Sequence, residues 1–184
     1  MTTPTADVSV RSAWAQDSAA IAAVQVRAWQ QTFADVLPGE ILTALPTDQF
    51  EQAWQSSIAR PRDARQRVLV ALERANLRGF AATAPATDAD ADPVRDAEIA
   101  EFVVDPEHRG AGHGSRLLHA AVETMRSDRF ERATMWLHAA DDHLRGFLDG
   151  QGWAPDGAHR ELDLHGDGAV LAKQVRLHTD LRPH

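Results

Sequence analysis

The residues with the most chemistry in them lie in one stretch, Phe102-Val-Val-Asp-Pro-Glu-His-Arg-Gly-Ala-Gly-His-Gly-Ser-Arg-Leu-Leu118. An apolar run stops at a proline, a glycine-rich turn follows, and an amphipathic pattern begins. The first amides of a helix have no acceptor within it and sit at the positive end of its dipole, so such a junction binds anions. Gly110, Gly112 and Gly114 lack a Cβ and let a phosphate reach the backbone. Arg109 adds a guanidinium beside them.

Three phosphate-binding spacings compete for this turn. A P-loop needs Gly-x-x-x-x-Gly-Lys-Ser/Thr, and no lysine stands here. A dinucleotide fingerprint needs Gly-x-Gly-x-x-Gly tight against the strand end. Here the spacing is Gly-x-Gly-x-Gly, and five residues separate Val104 from Gly110. Arg-x-x-Gly-x-Gly is met by Arg109, Gly112 and Gly114. The plainer alternative is a glycine turn with no ligand, and the order of strand, proline, turn and striped helix weighs against it.

The elements that must position this turn alternate. Strands are expected over Val8–Trp14, Val68–Leu72, Gly79–Thr83, Glu98–Val104 and Ala133–Leu137, from apolar alternation or short apolar runs. Helical spacing joins Ile21, Val24, Ala28 and Trp29 behind a cap at Asp17 or Ser18. Pro38 opens a short helix, and Asp48 with Glu51 reads as a capping box for a helix carrying Phe50, Trp54 and Ile58. The clearest helix spans 112–127, with Leu117, Leu118, Ala121, Val122 and Met125 on one stripe. Asp141 or Asp142 caps a helix carrying Leu144, Phe147 and Leu148, and a final hairpin is expected from Arg160–Leu164 and Gly168–Leu177. Strands interleaved with helices, and hairpins near both ends, predict a mixed α/β sheet in one domain over 1–184. The acidic stretch Ala84–Asp96 reads as a flexible, solvated loop within it.

Composition narrows the chemistry. No cysteine is present, which excludes disulfides, a thiolate nucleophile and cysteine-bound zinc. The net charge of −8 disfavours nucleic-acid backbones. No apolar run approaches a membrane span, and the first residues show neither a basic n-region nor an apolar h-region, so a cytoplasmic location is expected. His138, Asp141, Asp142 and His143 lack metal-ligand spacing, and no metal is expected. All five tryptophans fall on apolar faces and read as core, with Trp29 also a candidate to line a substrate pocket.

The glycine stretch resembles the acyl-CoA pyrophosphate motif of the GNAT N-acetyltransferase superfamily. Val26-Arg-Ala-Trp29 with Leu37-Pro38, Ala97–Pro106, and Phe147 with Gly152-Trp153-Ala-Pro-Asp-Gly157 resemble further blocks of the family, in its order. The resemblance implies a single-domain α/β fold with a mostly antiparallel mixed sheet flanked by helices on both faces. It implies acetyl-CoA as co-substrate, direct acyl transfer to a small-molecule or peptide amine, and a homodimer. Backbone groups of Phe102, Val103 and Val104 would align the pantetheine arm, and a Val103 or Val104 amide would polarise the thioester carbonyl. The amides of Arg109, Gly110, Ala111, Gly112, His113, Gly114 and Ser115 would hold the pyrophosphate.

An alkylamine is mostly protonated at neutral pH, so a general base helps. The resemblance places that base at Glu98, with Glu101 the second candidate. Strand alternation puts the two on opposite faces unless a bulge intervenes. The family's usual tyrosine acid falls on Leu148, and the chain has no tyrosine. That departure supports one rival, a non-catalytic acyl-CoA-binding or regulatory module; a second rival is another kind of nucleotide-binding α/β protein.

Overall fold

A computed structural model describes residues 7–164 and 166–183, organised around one seven-stranded sheet. Its strands are β1 (Val8–Ser12), β2 (Arg67–Glu73), β3 (Asn76–Pro85), β4 (Asp96–Val104), β5 (Arg132–His138), β6 (Ala154–Asp163) and β7 (Leu171–Asp180). They lie in the order β1-β2-β3-β4-β5-β7-β6. Only β4 and β5 run parallel. The helices are α1 (Ser18–Thr32), α2 (Gly39–Thr43), α3 (Thr47–Ala59), α4 (His113–Ser127) and α5 (Asp142–Gly150). Among the described residues no helix is long and apolar enough to cross a membrane.

Each face of the sheet buries its own apolar cluster. On one face the α4 stripe, Leu117, Leu118, Ala121 and Met125, packs with Ile99, Leu137, Leu148 and Trp153. On the other, Ile21 and Val24 of α1 pack with Val70 and Phe80, while Trp54 and Ile58 of α3 lean on them. Helices therefore flank both faces, as expected for a mixed sheet.

Three local expectations are corrected. The third helix begins at Thr47 behind Pro46, so Asp48 stands in its first turn rather than capping it. Trp14 is exposed rather than core, with the Arg11 guanidinium 3.8 Å from its ring centroid. The final hairpin is longer than its apolar segments, because Ala154–Asp163 is mostly exposed and carries little pattern.

Two irregularities create the space for a site. The parallel pairing of β4 with β5 covers only Asp96–Glu98 against Arg132–Thr134, and beyond it the ladder stops. On its other edge β4 pairs Glu101 with Ala82 but Ile99 with Thr83, so Ala100 is an extra residue in a β-bulge. The bulge restores Glu98 and Glu101 to one face of the sheet. A close approach fixes the neighbouring strand: a Cβ added at Gly79 would stand 2.7 Å from the Val103 carbonyl oxygen. Only glycine lets β3 run so near this part of β4.

Candidate active site

Where β4 and β5 part, a cleft of about 510 Å³ opens. Its walls are the β4 segment Ile99–Val104, the β5 segment Met135–His138, the turn ahead of α4, the end of α1 and the start of α5. Of the residues singled out from the sequence, Glu101, Phe102, Val103, Val104, Arg109, Gly110, Gly112, His113, Gly114 and Ser115 line it. Glu98 and Ala111 do not.

The turn ahead of α4 has the geometry its glycines suggest. Gly110 and Gly112 take φ of +78° and +80°, a region L side chains rarely adopt. Gly112 caps α4, and its carbonyl accepts the Arg116 amide at 3.2 Å. Helix geometry leaves the amides ahead of that bond aimed out of the N-terminus. Arg116, which motif reading missed, folds back and donates to the Ala111 carbonyl at 3.0 Å, adding a second guanidinium to the turn. His113 is buried, its Nε2 unpaired, and burial pushes its imidazole pKa down. It can serve an anion through its amide, not through a charged ring.

The two carboxylates differ sharply. Burial alone pushes Glu101 up to about 7, and no partner holds its carboxyl among the described residues. Burial also raises Glu98, against hydrogen bonds from the Thr87 amide at 3.4 Å and hydroxyl at 3.3 Å. Glu101 lines the cleft with its carboxyl unpaired, whereas Glu98 is tied to the neighbouring loop.

Opposite the glycine turn the wall is aromatic. Trp29 packs edge-on against Phe33 and Phe50, at centroid distances of 5.8 and 5.3 Å, and Phe33 meets His138 at 5.9 Å. Trp136 completes the wall, held from behind. Its Nε1 donates to Asp88 at 2.9 Å, and the Arg160 guanidinium lies 4.2 Å above its ring. Arg176, itself buried, binds Asp88, Asp90 and Asp156 at 3.0, 2.6 and 2.7 Å. Its hydrogen bond holds Asp90 down at about 2. The acidic stretch 84–96 is thus fastened to β7 and backs the cleft wall. Its sequence signal was a run of aspartates, and nothing local named Arg176 as their partner.

At α5, Asp141 accepts from the Leu144 amide at 2.9 Å and caps the helix. Asp141, His143, Leu144 and Phe147 line the cleft, and Phe147 stacks on Phe102 at 6.1 Å. Leu148 is fully buried in the core and does not reach the cleft. One group of metal-ligand type gathers among the described residues, Asp105, Glu107 and His108. It lies outside the cleft, and Arg27 occupies the Asp105 carboxylate at 2.7 Å.

Residues 26–153 match the acetyltransferase (GNAT) family, and the chain belongs to that family. Solved structures with the same fold include yncA from Salmonella typhimurium with its cofactor acetyl-CoA, with 16% identity and a TM-score of 0.69 over 97% of this chain and 96% of that one. The paiA N-acetyltransferase from Thermoplasma acidophilum in complex with coenzyme A shares 17% identity, TM-score 0.69, over 91% and 97%. The ribosomal-protein-alanine N-acetyltransferase from Brucella melitensis shares 19% identity, TM-score 0.71, over 94% and 99%. No curated protein sequence matches the chain.

Proposed function

We propose that this chain transfers the acetyl group of acetyl-CoA directly to a primary amine. The observation that carries the reading is the opening between β4 and β5, which brings an anion-binding turn and the unpaired Glu101 carboxyl into one cleft. That two proteins of the same fold were solved with acetyl-CoA or coenzyme A supports the co-substrate.

A thioester supplies an activated acetyl group: the carbon–nitrogen bond forms, the carbon–sulfur bond breaks, and the amine gives up a proton. The residues divide the remaining work. Amides from Gly110 to Ser115, with Arg109 and Arg116, take the diphosphate. The free edge of β4 at Phe102–Val104 hydrogen-bonds an extended amide-bearing arm, as a strand would. A Val103 or Val104 amide faces the thioester oxygen. We assign the base to Glu101 rather than Glu98, because Glu101 lines the cleft and its pKa of about 7 suits proton removal near neutrality. The departing thiol has an ordinary pKa near 8.5, so it leaves tolerably as a thiolate at pH 7 to 8 without a phenolic acid. Asp141 and His143 stand in the cleft to return a proton.

Calorimetry with acetyl-CoA, followed by turnover on an amine panel, tests the reading. Wild type should bind acetyl-CoA, and Gly112→Asp should abolish binding by adding strain at positive φ and a like charge at the anion. No heat with wild type overturns the proposal. Binding without turnover on any amine supports the non-catalytic module instead.

A further inference from the structure

The acceptor half of the cleft has a chemistry that selects among amines, and this inference rests on the transferase reading above. The bulge sets Glu101 on the same sheet face as Glu98, and the register pairs Glu98 with Thr134, so alternation brings Trp136 and His138 to that face as well. There they meet Trp29, Thr32 and Phe33 at the end of α1. Two indoles and a phenyl ring form the wall, and Glu101 places a carboxyl on it.

The arginines of the neighbourhood are already committed. Arg109 stands at the anion turn. Arg160 donates to the Gln174 side chain at 2.7 Å and stacks on the Trp136 ring. Arg176 is saturated by Asp88, Asp90 and Asp156. His138 is held by the Ala140 amide, which donates to its Nδ1 at 3.1 Å. An acceptor carrying a carboxylate would surrender its hydration here with no arginine or lysine on this wall among the described residues to receive it, and would stand beside Glu101. A peptide would fare no better, since its backbone groups each need a partner and the wall offers the uncharged side chains of Thr32 and Gln174.

We infer that the acceptor is a small monoamine on an apolar, aromatic or alkyl body, without a carboxylate near its nitrogen. The rings cover the body, while Glu101 faces the nitrogen and takes its proton. In that reading Trp136 is a specificity residue, and Asp88 positions it through the indole nitrogen.

The test compares phenethylamine with phenylalanine, which differ by the carboxylate alone, and with a short peptide beginning with alanine. Thiol release from acetyl-CoA is followed for each. The expected result is a kcat/KM for phenethylamine at least about tenfold above the other two, the scale on which an uncompensated polar group is rejected. Equal or better use of phenylalanine or of the peptide overturns the inference, as does failure to acetylate phenethylamine. Trp136→Ala should raise the KM for phenethylamine about tenfold with little change in kcat, while Trp136→Phe keeps most of the wall and should recover most of that loss. An unchanged KM in the alanine variant overturns the assignment of Trp136. Acetyl-CoA calorimetry on wild type separates the two levels: heat with no amine preference sinks the acceptor inference alone, and no heat sinks the transferase reading with it.

Discussion

The two ends of the cleft are made in different ways. The anion turn is backbone: consecutive amides, two glycines at positive φ and a helix end, all within residues 109–116. The acceptor wall is side chain: Trp29 and Phe33 from the end of α1, Glu101 from a bulge, Trp136 and His138 from β5, with Asp88 and Arg176 behind them. A backbone site tolerates almost any side chain that does not obstruct it, and its demand falls on glycine. A side-chain site depends on residues far apart in the chain, each held by its own packing. The first kind suits a co-substrate that stays the same, and the second suits an acceptor that differs between proteins.

The comparison can be broken most severely from behind the acceptor wall. Arg176→Ala leaves Asp88 and Asp156 crowded without their main cation, and should cost about 3 kcal/mol in denaturant unfolding, the lower end for removing one partner of a buried pair. Acetyl-CoA affinity, measured on the folded variant, should change little, since the anion turn shares no residue with that network. Tighter coupling of the two ends would show as a matching loss of acetyl-CoA binding.

Glu101→Gln sharpens the contrast at the point where the ends meet. Turnover should fall about 10²-fold, the usual loss for a general base, while acetyl-CoA binding persists. In wild type, activity should rise with pH through about 7 as Glu101 ionises. Stability should run the other way. The folded pKa lies above the ordinary glutamate value of 4.5, so the protonated form stabilises the fold, and that contribution is complete below about pH 4.5 and lost as pH rises through about 7. The glutamine variant should therefore melt above wild type at pH 8 and lose that advantage at pH 4.5.

Smaller effects separate the two neighbours on α5. Leu148→Tyr forces a phenol into a filled core and should cost about 2 kcal/mol, read as a lowered midpoint of unfolding. Phe147→Tyr adds its hydroxyl at the cleft and should cost less than about 1 kcal/mol. Gly79→Ala should cost at least as much as Leu148→Tyr, about 2–3 kcal/mol, because the atom that must give way is the Val103 backbone carbonyl.

The two ends also differed in how far the sequence disclosed them. Gly110 and Gly112 announced the tight turn and the helix start behind it because all its parts are local. The α4 stripe and the apolar strands announced the sheet for the same reason, as period and burial are read within one window. Glu101 could not be ranked above Glu98 from alternation, since the bulge at Ala100 is set by pairing with β3, and no residue at the bulge marks it. Leu148 was aligned with a family tyrosine through Phe147 and Gly152. Helical phase then puts Phe147 in the cleft and Leu148 in the core, a distinction of one residue that spacing alone does not resolve. Asp88 and Asp90 looked solvated because their partner Arg176 is 88 and 86 residues away.

The ion pair between Arg27 and Asp105 ties the two ends together. Arg27 sits on α1, two residues before Trp29 of the acceptor wall, and buried Asp105 precedes the anion turn, accepting the Glu107 amide at 3.2 Å. The pair gives residues far apart in the chain a common support. A ligand at the turn that loosened it would also free α1, and thermodynamic linkage would then require a ligand at α1 to act on the turn in equal measure.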